Sequence, residues 1–440
     1  MALIGLIFDD VSIPYLVSGA LPRTSMSHDF NLFQFGHHAL SEGHDVVFLS
    51  TSSYYNGETL GSIKGIYPNL EIYTESFRTD DVKPDILLSN HIQVFAWGQA
   101  PYAKKVAIHP ALYFVEMPVY YTDHQTRAQL LAARYHVDFI FVQNERMRDI
   151  LVAFYGWLAG WSEANRIIIN PLGLIKEEKF SPIDRNSARS KLGLEDTDVC
   201  IVNAGGIWRW TGFNDYLRAF VQAVRGGASN LVLVMTGFRQ AENEDHGDYI
   251  AETRQILREN ADIVGDRTAA GQKRAKIRIH VEEDWIEASK KLPLFLSAAD
   301  FGLNVNGDGL ENWQAQRVRC LDYTRYSLPL LTTRGDNFSD NVAGEGAVRL
   351  SSNSPAEVTE TLMQLSRSRK VTESAKNAAK KTKTRLESPK IMQNNLRLVL
   401  NTPKRIVSRD KESMLEAFWR IESRIIRDRA VQEMAQEFGL

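Results

Sequence analysis

The 440-residue sequence predicts an α/β protein built from two doubly wound parallel sheets. Three observations carry this. Short unbroken apolar runs recur along the chain, residues 2–8, 199–202 and 231–235 among them. A strand buried on both faces of a parallel sheet reads that way, whereas a half-exposed strand alternates. Stretches of helical length and amphipathic pattern separate the runs, and the whole alternation starts afresh near residue 199. The repetition therefore lies between domains, and no short-period repeat is present.

In chain order, residues 2–8 are the first strand, followed by a loop with Gly19 and Pro22 and an amphipathic helix from about Asp29 to Glu42. Gly43 ends that helix and residues 45–50 form the second strand, completing a Rossmann-like βαβ unit. Further strands are expected at 84–90, 105–109, 113–116, 139–144 and 167–170, with a helix over 145–155. Residues 180–194 form a linker and short helix. The second half continues with strands at 199–204, 231–236, 277–280, 301–305 and 328–333, and helices at 213–224 and 285–297. Residues 240–273 mix both charge signs and predict a helix plus an exposed insertion. These elements divide the chain into domains at 1–175 and 176–355 and a helical segment at 356–440.

Composition narrows the class. A hydrophobic fraction of 44% with 24% charged residues describes a globular chain, and a net charge of −2 gives no reason to expect nucleic acid. Cys200 and Cys320 fall in apolar strand and helix contexts and read as buried thiols, which fits a reducing compartment. The first ten residues have no basic region and turn acidic at Asp9, so they read as a strand rather than a signal peptide. No run approaches the roughly eighteen apolar residues that span a bilayer. A cytoplasmic protein is expected. Neither a nucleophile elbow nor a Walker loop is present, which weighs against hydrolase and ATPase chemistry. His37 and His38 are not spaced for a metal, and no metal or resident cofactor is expected.

Two stretches carry chemistry. The first is residues 203–212, a strand end running into Gly205-Gly206, then Trp208, Arg209, Trp210, Thr211 and Gly212. Such a turn lets the backbone approach a diphosphate and puts a helix N-terminus behind it. The alternative is a tight turn without a ligand. The second is residues 299–333: a strand, then Gly307, Asp308 and Gly309, then Glu311, Arg317, Arg319 and Asp322, expected within one helix, then a strand opened by Pro329. A carboxylate at a helix start is stabilised by the dipole whatever its function. With two guanidiniums and a second carboxylate following, the pattern also suits a reader of sugar, phosphate and ribose.

This order resembles the donor-site signature of GT-B glycosyltransferases, similar to the retaining family 4 type and its bacterial polysaccharide-type subset. In that signature two glutamates stand eight positions apart, the second seven before the strand-opening proline. Counting back from Pro329 reaches Asp322, a shorter acid, and eight further back stands Gln314, so the nearest carboxylate is Glu311. The resemblance implies two Rossmann-like domains facing a cleft with a C-terminal helical extension that packs partly back on the first domain. It also implies metal-independent transfer with retention, from a nucleotide-sugar co-substrate to a glycan, lipid-linked or small-molecule acceptor. Glu311 would orient the sugar or support the oxocarbenium ion, and Asp322 would accept the ribose hydroxyls. Gly205, Gly206, Asp308 and Gly309 would line the donor, and Trp208 and Trp210 would wall the sugar pocket or simply pack. The family's Arg and Lys in the glycine turn are replaced by Gly206 and Thr211, so the phosphate charge falls to Arg209, Arg317 or Arg319. His109 and Glu116, at strand ends of the first half, are acceptor-side candidates. A catalytically silent scaffold, or another enzyme of this fold such as an epimerase, is the alternative.

Residues 356–386 are helical and basic, with Lys380, Lys381, Lys383 and Arg385. They present a solvated face, or a surface for acidic lipid or an anionic acceptor at the inner face of a membrane. Residues 411–436 carry Leu415, Phe418, Trp419, Ile421, Ile425 and Ile426 at helical spacing, expected to pack on the body or on a second subunit, with docking on a membrane the alternative.

Overall fold

The computed structural model describes residues 1–8, 27–50, 71–73, 82–89, 103–108, 137–149, 152, 164–171, 173–174, 182–236, 247–269, 276–307, 312–313, 316–333, 336–342, 347–350, 354–387 and 390–404. The chain divides into two compact units, Met1–Leu172 with Pro389–Leu440, and Gly173–Ser388. Each contains a seven-stranded sheet.

The first unit comprises β1 (Leu3–Phe8), α1 (Ser27–Ser41), β2 (Asp45–Ser50), β3 (Glu71–Tyr73), β4 (Ile86–Ser89), β5 (Lys105–Ile108), β6 (Phe139–Val142) and β7 (Ile167–Ile169). The strands run parallel in the order β3-β2-β1-β4-β5-β6-β7. Continuous apolar runs are needed here because β1 is covered on both faces: the consecutive residues Ile4, Gly5 and Leu6, which alternate between the faces, are all buried. Helix α1 sits close on it through Gly36, where an added Cβ would lie 2.4 Å from the Leu6 Cδ1. The sequence did not signal β3. The strand expected at 113–116 lies outside the described residues, as does the helix of 145–155 beyond residue 149, residue 152 excepted.

The second unit opens with α2 (Arg185–Lys191), β8 (Val199–Ala204), α3 (Phe213–Arg225), β9 (Leu231–Thr236) and α4 (Gly247–Glu259). It continues with β10 (Val264–Gly265), β11 (Ile279–Glu282), α5 (Trp285–Ala298), β12 (Phe301–Asn304), α6 (Val318–Arg325), β13 (Leu330–Thr332), α7 (Asn337–Val342) and β14 (Ala347–Arg349). The parallel order is β10-β11-β9-β8-β12-β13-β14. Its core joins Phe213, Leu217 and Phe220 of α3 to Ile201, Leu233, Phe301 and Leu303 of the sheet.

Two expectations need correction. Residues 240–273 are not simply a helix and an exposed insertion. Arg267 is 1% exposed, and its guanidinium donates to the carbonyls of Leu192 (2.8 Å), Gly193 (2.6 Å) and Ile277. A buried charge persists where its donors find acceptors. The helix expected over 356–386 is two, α8 (Pro355–Arg367) and α9 (Arg369–Leu386), because Ser368 is extended at φ −122°, ψ 92°. Both lie in the second unit, and Val358, Leu362 and Leu365 of α8 join its core. The next helix, α10 (Lys390–Asn401), belongs to the first unit. Its Asn395 amide donates to Ile169 O at 2.9 Å, and the Lys105 ammonium donates to Val399 O at 2.7 Å, meeting a helix C-terminus with positive charge. Residues 411–436 lie outside the described residues. Among the described residues no helix is long and apolar enough to cross a membrane.

A buried ion cluster centred on Asp300 ties the second unit together at the start of β12. The carboxylate meets Arg185 (2.7 Å) and Arg189 (3.2 Å) of α2, Lys376 (2.8 Å) of α9 and the backbone N–H of Cys200 (2.9 Å). Burial by itself would raise the Asp300 pKa, but the cations and the amide outweigh it and hold the group below the usual carboxylate value. Asp300→Ala leaves Arg189 buried without its counter-charge and is expected to destabilise the second unit by about 3–5 kcal/mol in denaturant unfolding. Because the folded pKa is depressed, this contribution is whole above the unfolded value of about 4 and is lost as pH falls through the folded one. The stability gap between parent and variant should therefore narrow below about pH 4.

Candidate functional site

In the second sheet the strand order reverses at β8, with β9 on one side and β12 on the other. Connections from neighbouring strands leave in opposite directions at such a point, opening a crevice beyond the carboxyl ends. The register marks where it opens: β12 pairs with β8 at Phe301↔Ile201 and Gly302↔Val202. The chain leaves β8 as Gly205-Gly206 and leaves β12 as Val305, Asn306 and Gly307.

The glycine turn is shaped by its neighbours. Gly205 has φ +152°, and a Cβ there would approach the Arg319 guanidinium carbon at 3.2 Å. At Gly206 a Cβ would lie 2.7 Å from Nε1 of Trp208, whose ring is half-buried and packs on the core. The Thr211 hydroxyl donates to Trp208 O at 2.6 Å and closes a short 3-10 turn, Arg209–Thr211. Gly212, left-handed at φ 66°, then admits the chain to α3. A side chain at 212 would meet Gly307 Cα at 3.6 Å, so the two crevice loops lie against each other.

Each of two arginines secures one loop. Arg319 donates to Asn203 Oδ1 (3.1 Å) and to Gly206 O (3.0 Å), which sets its guanidinium on the glycine turn. Arg317 donates to Asn312 Oδ1, and the Asn312 amide donates to Gly307 O at 2.9 Å. The two were expected within one helix with Glu311 at its start. Instead α6 begins at Val318, and Arg317 precedes it in extended conformation at φ −79°, ψ 121°. Asp322 is 7% exposed, three positions after Arg319 and so on the same side of α6.

Beneath the loops lies a buried polar layer. Asp336 accepts from Asn304 Nδ2 (3.0 Å), Asn306 Nδ2 (2.8 Å) and the Ser339 amide (2.9 Å). Thr333 Oγ1 accepts from the Asn306 amide at 2.8 Å and donates to Asn306 O at 3.1 Å. Burial raises the Asp336 pKa, against the pull of its Ser339 hydrogen bonds. Tyr323 completes the site from α6. Its ring rests on Gly302, where a Cβ would lie 2.2 Å from the ring. Its hydroxyl accepts from the Ala204 amide at 2.8 Å and donates to Leu303 O at 3.0 Å.

The structure thus brings Gly205, Gly206, Trp208, Arg317 and Arg319 to one crevice, with Asp322 buried on the Arg319 side of α6. Arg209 stands apart: it is exposed and paired with Asp248 of α4, whose carboxyl it holds below the usual value through their hydrogen bond. Glu311, Asp308 and Gly309, like His109 and Glu116, lie outside the described residues. Sequence reasoning did not assign Asn203, Asn306, Tyr323 or Asp336. Asparagines closing two apolar strands, at 203 and 304–306, were the available signal. Cys200 and Cys320 are free and buried, the Cys200 thiol pushed up to about 12.

No family model matches the sequence, and no curated protein matches it. Solved structures do match in shape. Anabaena HepE, in complex with UDP and glucose, is 12% identical over 91% of this chain and 100% of its own, with TM-score 0.61. Sucrose-phosphate synthase from Thermosynechococcus elongatus is 11% identical over 90% and 98%, TM-score 0.59. WaaG, a glycosyltransferase of lipopolysaccharide biosynthesis, is 11% identical over 91% and 100%, TM-score 0.51. At such identities the likeness establishes the fold, and the fold is that of GT-B glycosyltransferases: two Rossmann-like α/β units.

Proposed function

We propose that this chain is a glycosyltransferase that takes a sugar from a nucleotide-sugar donor held at the second unit's crevice and transfers it to a hydroxyl of a glycan, lipid-linked or small-molecule acceptor. The observation that carries this reading is Arg319 seated on the Gly205-Gly206 turn at the N-terminal side of α3. A guanidinium and a glycine turn converge where a diphosphate would leave. In the transfer the bond from the anomeric carbon to the phosphate oxygen breaks, and the diphosphate departs with the electron pair. The acceptor oxygen bonds to that carbon and gives up its proton to the departing diphosphate. Charge grows on the diphosphate in the transition state, so fixed positive groups there accelerate the step. Asp322 would take the ribose hydroxyls, a carboxylate being able to accept two hydrogen bonds at once.

The fold neighbours support the donor class, since HepE was captured with UDP and glucose. Retention, independence from metal and a role in polysaccharide assembly follow from the resemblance of residues 299–333 and belong to the same proposal. So does a cytoplasmic location, with contact to acidic lipid favoured by exposed Lys380, Lys381 and Arg385 on α9. Assembly through residues 411–436 is part of the proposal too. A silent scaffold is the second reading. It is favoured by Thr211, which stands where the resembled family has Lys and whose hydroxyl is bonded to Trp208 O. Calorimetry and turnover with a panel of nucleotide sugars and acceptors separate the two: the enzyme hydrolyses or transfers donor, the scaffold binds without turnover.

Arg319→Ala is expected to lower kcat about a hundredfold, as loss of transition-state charge stabilisation does. Lysine at 319 should restore only part, because a point charge cannot reproduce the guanidinium fork. Arg209→Ala, removing an exposed ion pair, should change kcat far less; equal losses at 209 and 319 in steady-state kinetics would move the diphosphate site towards α4. Asp322→Ala should weaken donor binding by about 1.5–3 kcal/mol in calorimetry with the fold retained. Unchanged donor affinity would remove Asp322 from the site.

A further inference from the structure

The two strands that border the crevice need something to hold them apart at a set distance. Up to Gly302 and Val202 the ladder between β12 and β8 does this. Beyond that pair Tyr323 takes over: its hydroxyl accepts from Ala204 of β8 and donates to Leu303 of β12. The ring is completely buried, and Gly302 leaves the space it occupies. A phenylalanine would fill that space equally well, so packing alone does not require the hydroxyl. Burial pushes the phenol pKa up, so the group keeps the proton it donates to Leu303 O.

The same residue sets the reach of Arg319. The two are four positions apart on α6 and share a side of the helix. Fixing the hydroxyl between Ala204 and Leu303 fixes the height of α6 above the sheet. The Arg319 hydrogen bonds to Asn203 and Gly206 depend on that height.

We propose that Tyr323 is a positioning residue of the donor site. Its hydroxyl stands in for the missing rung between β8 and β12, holding the glycine turn, the 305–307 loop and the Arg319 guanidinium in mutual register. The inference rests on the donor reading above and deepens it.

The test uses the full chain, with UDP, GDP, ADP and dTDP as probes in calorimetry. Tyr323→Phe keeps the ring and is expected to bind the diphosphate preferred by the parent about tenfold more weakly. Amide exchange at Ala204 and across 205–207 should quicken by a similar factor. Val358→Ala, a core change on α8, should lower the melting temperature without moving the affinity, which separates positioning from general loss of stability. Gly302→Ala, whose methyl must displace the ring while the hydroxyl is still present, should reproduce the binding loss by an independent route. Parent-like affinity in both Tyr323→Phe and Gly302→Ala would overturn the positioning role and leave the donor reading standing. A parent that binds none of the four diphosphates would overturn the donor reading and this inference with it.

Discussion

Everything at the candidate site depends on one constraint: β8 and β12 are neighbours in a parallel sheet but leave it in different directions. Their ladder records Phe301↔Ile201 and Gly302↔Val202, while β8 keeps six register pairs with β9 on its other side. A parallel sheet covered on both faces tolerates such a parting only if the backbone groups exposed by it find other partners. Here they do. The Ala204 N–H of β8 donates to the Tyr323 phenol, and the phenol in turn donates to Leu303 O of β12. The crevice is therefore a built feature of the sheet.

Charge follows the same geometry. The resembled family places a cation within the glycine turn, but at 206 the Trp208 ring leaves no room for a side chain. A guanidinium arrives instead from α6, across the crevice, and is held by Asn203 and Gly206. Supplying the charge from a separate helix keeps the turn backbone bare for close approach by a ligand. It also ties the charge to the loop by hydrogen bonds that orient a planar fork. Arg209, nearer in sequence to the turn, is engaged with the exposed Asp248 of α4. Proximity along the chain was a poor guide to proximity in space.

That contrast defines what was legible. The sheets were, because a strand buried on both faces reads as a nearly continuous apolar run, as 199–202 and 231–235 do, within strands whose every residue is buried. The glycine turn and the 299–333 stretch were legible because each combines strand, glycine and helix in a fixed order. Short edge strands such as Val264–Gly265 and Ala347–Arg349 were not, since two or three residues carry no period. Tyr323 was invisible because its partner, Gly302, lies twenty-one residues earlier and neither residue is informative alone. Asp300 carries no local signal in the sequence; only the folded chain gathers Arg185, Arg189 and Lys376 around it.

The buried polar layer under the crevice is the least expected part of the sheet on hydrophobic grounds. Asn304, Asn306, Thr332, Thr333, Asp336 and Ser339 are each no more than 3% exposed. Leucine and valine would fill the same volume with a larger transfer gain. Polar side chains add direction instead. Asp336 draws the ends of β12 and the loop after β13 together through three donors, and Thr332 Oγ1 bridges to Asn304 O at 2.8 Å. Directional bonds fix strand ends to a few tenths of an ångström, which apolar contact does not, and a network deep in low dielectric resists rearrangement. Rigid loops have a specific value at a site whose catalysis is electrostatic, because donors already in place need no reorganisation as charge develops. The polar layer, the tyrosine between the strands and the arginines on the two loops thus act to one end: they hold the mouth of the crevice in a single geometry before any ligand enters.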